Sequence, residues 1–447
     1  MQSIFCANRE KGGILMKKII VAGAGHGGIA AAALLAKQGY DVTVLEMKKR
    51  ADMGHDWHDV MSKGAFDDTG FTRPDESEFL PFTNTSYVAP SKKTEIVEPY
   101  KVSEWSVYVD RQLLLKHLID EAEDAGVTFR FGVKIVSVAC DCEKVTGVRA
   151  LERGKIKEYA ADLVIDAAGI DSPVRRTLPG TFGIKNEISP KETFYTWRGY
   201  FENTEKKLTD PTNRVFFYHN NRPGMDWAIT DENFVDILIG GFRPIDRKDV
   251  DLALADFRES YPYMGKMIRG GQFVKIPLRR TLPLIVANGY AAVGDSAAMT
   301  EPLSGSGINL SLRADGILAD AVIAAGEDEL TVEKLWPYQY NYYQKHGNGQ
   351  ISNDVIKGIL NSLTGRDVDF LLDAKILTLK EIASGGMPQY KAKELLEKLN
   401  LIKKPKIIPG MARALSHLTQ IDAVCAKMPE TYDAHKVAAW EKAYEAL

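Results

Sequence analysis

"VAGAGHGGIAAAALLAKQGYDVTVLE", residues 21–46, sets Gly23, Gly25 and Gly28 in G-x-G-x-x-G spacing. The "KKIIVAG" that leads into it is rich in Ile and Val and reads as a short buried strand. "GGIAAAALLAKQG" reads as a helix stopped at Gly39, and "DVTVLE" as a second strand. Glycines at such a turn let the backbone approach a pyrophosphate, and the free N–H groups of the helix start point at the anion. Glu46 ends the second strand where a carboxylate accepts hydrogen bonds from a ribose diol and repels a 2′-phosphate. The glycine spacing alone is a weak signal; strand, helix and acid together predict a Rossmann-like dinucleotide-binding unit. His26 lies inside the loop and reads as a loop residue within reach of phosphate.

Working outward, the 447 residues suffice for two or three lobes. A net charge of −3 argues against non-specific nucleic-acid binding. Hydrophobic residues make up 45% of the chain, and no apolar run is long enough to span a bilayer, which leaves peripheral membrane contact open. The first fifteen residues lack the apolar core and cleavage site of a signal peptide. "MKKIIVAGAG" from Met16 looks like a complete start, so residues 1–15 read as the product of a start codon placed too early in a bacterial gene. Cys6, Cys140, Cys142 and Cys425 make neither a metal-site spacing nor a disulfide framework. Cys140 and Cys142 read as reduced thiols in a strand or hairpin, and the expected compartment is the cytoplasm.

A polar loop follows Glu46 and contains His55 and His58. With no further ligand set nearby it reads as a structured loop near the cofactor, and no metal is expected. In "SVYVDRQLLLKHLIDEAEDAGVTFRFG" a strand enters Arg111, and a helix with Leu113, Leu114, Leu118 and Ile119 on or near one face runs to Gly126. An Arg at that junction reaches a phosphate or ribityl chain; without such a partner it is a solvated charge. Residues 133–176 read as a hairpin, the buried strand "DLVIDAAG" ending at Gly169, and a helix opened by "DSPVRR".

"GYAAVGDSAAMTEPLSGSGINLSLRADGILADAV" is the third signature. A strand runs into Gly294 and Asp295, Pro302 stiffens a loop, Gly305 and Gly307 leave N–H groups bare, and a long helix starts near Ile308 and Asn309. Asp295 is placed to hold sugar-chain hydroxyls, and the helix start favours the anion of a reduced flavin. Two such segments folded into one domain fit FAD better than a lone nicotinamide nucleotide.

These segments resemble the FAD-dependent oxidoreductases with the para-hydroxybenzoate hydroxylase type of fold, over about residues 17–345. Gly23, Gly25, Gly28 and Glu46 match that group's fingerprint, the segment around Tyr108 and Arg111 its arginine segment, and "DLVIDAAGIDSPVRR" its D-G segment, with Ala168 where an Asp is usual. Gly294, Asp295, Pro302, Gly305 and Gly307 are in register with its G-D segment. Within the group, "EPLSGSGI" is similar to the Pro-Leu-Thr-Gly-x-Gly-Ile pattern of the geranylgeranyl reductase branch. That branch's Gly-Tyr-x-Trp-x-Phe-Pro element is matched here by Gly224 and Trp227, with Ile229 and Thr230 in place of Phe-Pro. "GHDWHD" stands where the branch carries a cysteine near the first loop.

The expected fold class is α/β. Residues 17–186 and 281–330 form a Rossmann-like FAD-binding domain, residues 187–280 a β-sheet substrate domain, and residues 331–447 a helical C-terminal region that caps the cavity or builds a subunit contact. The sheet is dense in aromatics, among them Phe194, Tyr195, Trp197, Tyr200, Phe216, Phe217, Tyr218 and Trp227. About half of these should be ordinary packing and the rest should roof an apolar or aromatic substrate. Arg198, Lys275, Arg279 and Arg280 are expected to be mostly solvated, with one of them free to bind a substrate carboxylate. In the tail, "VEKLWPYQYNYYQKHGNGQ" and "YKAKELLEKLNLIKK" read as helices, broken at Gly385, Gly386, Pro405 and Pro409.

The resemblance implies a reductase or dehydrogenase of an apolar unsaturated small molecule, isoprenoid-like or polycyclic. A monooxygenase hydroxylating an aromatic ring and a non-catalytic flavin electron-transfer or sensing module are the alternatives. No second G-x-G-x-x-G provides a nicotinamide domain, so NAD(P)H is expected at most as a transient donor. No acid–base pair is evident, and His55, His58, Tyr195 and Trp227 are the catalytic candidates. The expected cofactor-binding set is Gly23, Gly25, His26, Gly28, Glu46, Arg111, Gly294, Asp295, Pro302, Gly305, Gly307 and Ile308.

Overall fold

The computed structural model describes residues 16–67, 69–75, 79–80, 85–97, 106–141, 143–373 and 408–447. Its nucleotide sheet has six strands in the order Val286–Ala287, Tyr290–Ala292, Leu163–Asp166, Lys18–Ala22, Asp41–Glu46 and Thr128–Phe131. All neighbours run parallel except the edge pair Val286–Ala287 with Tyr290–Ala292. Ile19, Ile20, Val21 and Ala22 form the centre and are buried on both faces, as a parallel sheet covered by helices requires. Helix His26–Lys37 packs on this sheet, and helix Ile308–Ala325 packs on that helix. The fully buried run Ala30, Ala31, Ala32 keeps their contact close.

The second large sheet has seven strands, ordered Met264–Pro277, Thr193–Asn203, Phe234–Gly241, Met225–Thr230, Asn213–Phe217, Thr85–Val88 and Glu95–Val97. Side chains alternate across it. Trp197, Phe201, Val235, Ile237 and Ile239 pack under helix Arg247–Ser260, while Phe194, Thr196 and Arg198 point back toward the nucleotide sheet. A three-stranded sheet, His58–Ser62 with Ser106–Asp110 and Phe79–Leu80, bridges the two lobes.

Several local readings change. The stretch after Glu46, read as loop, contains strand His58–Ser62, and the sheet expected from residues 187–280 gains the strands Thr85–Val88 and Glu95–Val97. Both additions are too short to show a period. The expected hairpin after residue 133 is a three-stranded sheet, Val133–Cys140, Val145–Glu152 and Lys155–Ala160. In helix Arg111–Asp124 the buried face takes Leu114, Leu115, Leu118 and Ile119, and Leu113 faces solvent. Pro409 does not break a helix but is the second residue of Ile408–Cys425, where its missing N–H costs no hydrogen bond.

The C-terminal helices include Val332–Tyr342, Asn348–Ser362, Gly365–Asp373 and Ala434–Glu445. The last returns to the nucleotide lobe, where the buried Tyr444 hydroxyl donates to the Thr281 carbonyl at 2.7 Å. The proposed helix at 390–404, the breaks at Gly385, Gly386 and Pro405, residues 1–15 with Cys6, and Cys142 lie outside the described residues. Among the described residues, no helix is long and apolar enough to cross a membrane, and no group of three or more His, Cys, Asp or Glu side chains is arranged to hold a metal ion.

Candidate functional site

The two glycine turns meet. A Cβ added to Gly27 would lie 3.2 Å from the Gly294 Cα, so the turn after the first strand and the turn after Tyr290–Ala292 touch through bare backbone. Gly23, with φ +98°, and Gly28, with φ +90°, take conformations that L side chains avoid. A Cβ at Gly25 would instead meet nothing within 4 Å, because Gly25 borders an open crevice of about 320 Å³. Gly23, Gly27, Glu46, Ala168, Gly169, Gly294 and Asp295 also line it.

The crevice is built for a dinucleotide. Neither Gly25, before helix His26–Lys37, nor Gly307, before helix Ile308–Ala325, offers a side-chain cap. Glu46 is buried, and its two oxygens accept the N–H groups of Ala24 at 2.9 Å and Lys48 at 2.8 Å. A carboxylate has about four lone-pair sites, so this carboxylate is braced and still able to accept from a diol. The Asp295 carboxylate has one hydrogen-bond partner among the described residues, the Thr300 hydroxyl at 2.9 Å. Burial pushes its carboxyl above the ordinary range against that bond and the nearby Arg111.

One further acid, not singled out from the sequence, completes the turn. Asp315, fully buried on helix Ile308–Ala325, accepts the N–H groups of Gly28 at 2.9 Å and Ala30 at 3.1 Å. Burial nonetheless pushes its carboxyl up to about 8. A lone acid on the apolar side of a helix was the available signal.

Between the nucleotide lobe and the seven-stranded sheet lies a chamber of about 140 Å³. Trp57, Phe194, Trp227, Leu238, Val274, Ile276 and Ile308 supply apolar wall; Thr196, Arg198, Asp59 and Thr300 supply polar groups. His26, His55, Arg111 and Asp295 line both chamber and crevice. Met225 is shared between the chamber and a further apolar cavity of about 60 Å³ beside Phe217, Tyr218, Phe242, Leu303 and Leu360.

Arg111 organises the junction. Its Nε donates to Asp59, and its Nη1 lies 2.9 Å from His26 Nδ1. Burial and then Arg111 hold His26 down at about 3, so the neutral ring accepts at Nδ1 and carries its proton on Nε2. His55 stacks on Trp57 at 4.4 Å, and burial followed by Arg111 holds it down at about 4. Arg111 is therefore half-buried and paired with Asp59 and His26, not a free solvated charge.

Of the catalytic candidates, His55 and Trp227 line the chamber. His58 does not; it stacks between Tyr108 and Phe234. Tyr195 sits on the opposite pleat from Phe194 and Thr196 and is likewise absent from the wall. Pro302 borders the smaller cavity, while Gly305, Gly307 and Ile308 line the chamber.

The charges read as solvated are mostly buried. Arg198 is 2% exposed, Arg279 3% and Arg280 7%; of the four, only Lys275 is substantially exposed, paired with Asp171. Arg198 Nε donates to Asp236 Oδ1 at 2.9 Å, and its Nη2 to Asp236 Oδ2 at 2.5 Å and to the Tyr108 hydroxyl at 2.8 Å. Burial works against the guanidinium charge, but Asp236 together with Tyr108 and Tyr200 outweighs it and holds Arg198 well above its ordinary range.

Residues 16–229 match the family model described as FAD binding domain. The chain thus contains an FAD-binding domain and is an FAD-dependent oxidoreductase. It is 26% identical over 367 residues to digeranylgeranylglycerophospholipid reductase 2 of Methanococcoides burtonii, covering 79% of this chain and 86% of that relative. In fold it is similar to a geranylgeranyl bacteriochlorophyll reductase-like protein of Thermoplasma acidophilum, with a TM-score of 0.71 and 21% identity over 89% of this chain and all of the other. A probable FAD-dependent monooxygenase from Pseudomonas aeruginosa shares the fold more distantly, with a TM-score of 0.58 and 18% identity over 80% of this chain and all of that one. The cofactor of this oxidoreductase is FAD, as the open crevice, braced Glu46 and underpartnered Asp295 accommodate.

Proposed function

We propose that this oxidoreductase reduces an apolar unsaturated small molecule of isoprenoid type in the chamber beneath the seven-stranded sheet. The observation that carries this reading is the apolar chamber opening onto the cofactor crevice at four shared residues. FAD supplies hydride transfer when bound. Gly23, Gly25 and Gly28 shape the turn for the pyrophosphate, Glu46 takes the ribose diol, and Asp295 the sugar-chain hydroxyls. Gly294, Gly305, Gly307 and Ile308 bring the second helix start to the ring, with Pro302 stiffening that loop. His26 and Arg111, hydrogen-bonded to each other, line the junction between crevice and chamber.

Residues 17–186 and 281–330 serve as the FAD-binding unit and 187–280, extended by the strands at 85–97, as the substrate unit; the helices from 331 onward cap them. The cavity beside Met225 leaves room for a substrate longer than the chamber. The reading places the protein in a bacterial cytoplasm, in line with its cysteine usage. Met267, Ile268 and Phe273, exposed on edge strand Met264–Pro277, are compatible with peripheral contact with a lipid surface.

The test is anaerobic. Photoreduced protein mixed with digeranylgeranylglycerophospholipid should be reoxidised as the lipid gains two mass units per double bond. A hydroxylated product and a transient peroxyflavin on admitting air would replace this reading with the monooxygenase. Reduced protein indifferent to both lipid and candidate aromatic substrates would leave only a flavin-binding module.

A further inference from the structure

One residue closes the loop that leads from the second glycine turn to its helix. Glu301 Oε2 accepts the N–H groups of Leu303, at 3.0 Å, and of Ser304. The Glu301 carbonyl accepts the Gly305 N–H, and the Glu301 N–H donates to the Ser306 carbonyl, both at 2.9 Å. The Gly305 N–H, read as bare from the sequence, is therefore taken within the loop. Most of this loop is only partly buried, so water could have served these donors. Gathering them on one residue, with a carboxylate as the stronger acceptor, instead fixes the shape of residues 301–306 just before the helix start at Gly307 and Ile308.

The other carboxylate oxygen reaches out of the loop. Glu301 Oε1 accepts from the side-chain amide of Asn353, which is 4% exposed on helix Asn348–Ser362. One turn along that helix, the buried Lys357 donates to the carbonyl of the chamber residue Leu278. One face of the helix thus ties together two separate parts of the chamber wall. The loop it holds is a partition: Pro302 and Leu303 border the smaller apolar cavity, and Ser304 and Gly305 border the chamber.

We infer that Glu301 is the positioning residue of the helix start that faces the flavin, and that through Asn353 helix Asn348–Ser362 is part of the cofactor site. This rests on the reading that Gly307 and Ile308 face the flavin ring, and not on which substrate is reduced. A helix start held at the ring favours the anion of the reduced flavin. The charge of Glu301 acts the other way, because a carboxylate disfavours a neighbouring anion. Positioning and charge therefore predict opposite signs when Glu301 is removed.

The test compares Glu301→Ala, Glu301→Gln and Asn353→Ala with the native holoprotein at saturating FAD. Glutamine keeps an acceptor oxygen for the two loop N–H groups and loses only the charge. The midpoint potential should fall below native in Glu301→Ala and, by less, in Asn353→Ala, but not in Glu301→Gln. FAD should bind about tenfold more weakly to Glu301→Ala, the cost of hydrogen bonds to a charged group. Amide hydrogen exchange at Leu303 and Ser304 should quicken in Glu301→Ala and stay slow in Glu301→Gln. A potential at or above native in Glu301→Ala, or a native potential in Asn353→Ala, overturns the inference. Should Glu301→Ala not hold FAD, the other two decide: a potential below native in Asn353→Ala but not in Glu301→Gln supports the inference, and any other pair refutes it. Unchanged exchange in Glu301→Ala refutes the brace itself, whereas faster exchange beside a native potential refutes the placing of the helix start at the ring. A protein unable to reduce the lipid leaves all of these readings unaltered.

Discussion

The crevice and the chamber are made of different material. In the crevice the working groups are mostly main chain: bare glycines, two uncapped helix starts, and acids whose first duty is to brace backbone N–H groups. In the chamber they are side chains from two sheets and from the helix starts at His26, Arg111 and Ile308, held by one another. Backbone recognition constrains residue type at fixed offsets along a short segment. Side-chain recognition constrains only what meets after folding, so the crevice tolerates few substitutions and the chamber is where specificity can vary.

The sharpest way to break this contrast lies within the glycine turn itself. Gly28→Val would force a β-branched side chain to φ +90° with its Cβ 2.8 Å from Ala167 Cβ and 2.9 Å from Val21 Cγ1. The expected loss is about 3 kcal/mol or more, seen as a collapse of soluble yield and thermal stability. Gly25→Val fills only open crevice, so its melting temperature in the FAD-free state should be unchanged while bound FAD drops at least tenfold; Asp295→Ala should also lose FAD. If Gly25→Val melts as early as Gly28→Val, the crevice is packed and not open.

A smaller effect sharpens the brace. Asp315 has its carboxyl raised to about 8 in the fold from an ordinary 3.8, so the folded protein holds that proton more tightly than the unfolded chain. Its contribution to stability is therefore fully present below about pH 4, falls as pH rises toward 8, and is constant above. Asp315→Asn should flatten this part of the melting-temperature profile between pH 5 and pH 8, with its advantage over the native protein growing toward pH 8. Parallel profiles would mean that the N–H groups of Gly28, Ala30 and Ala31, not burial, set the charge of Asp315.

The smallest effect separates a buried charge from a surface one. Arg279 is 3% exposed and meets Glu192 at 2.7 Å, whereas Lys275 pairs with Asp171 in solvent. Arg279→Met should cost about 2 kcal/mol in denaturant unfolding. Lys275→Ala should cost no more than about 0.5 kcal/mol. Equal costs would remove the distinction.

The same contrast explains what could be read in advance. Gly23, Gly25, Gly28 and Glu46 lie within 24 consecutive residues, and the strand and helix around them announce their own periods. The second turn at Gly294 and Asp295 was equally legible, because it too is a strand end followed by a helix start. Arg198, Tyr108 and Asp236 are separated by 38 to 128 positions, and no local pattern pairs them. The clue was composition: "FVDILIGG" places one acid in an otherwise apolar, fully buried strand, and a charge there demands a partner. His58 and Tyr195 were plausible by residue type, but a pleat has two faces and theirs turn away from the chamber.

His26, His55, Arg111 and Asp295 border both compartments. A wall common to two rooms cannot keep their contents independent. Whatever lodges beneath the sheet alters the electrical surroundings of the flavin, and adding electrons to the flavin alters the hold on that guest by the same factor. The midpoint potential of the coenzyme and the dissociation constant of the guest are then a single coupled quantity, measurable from either end.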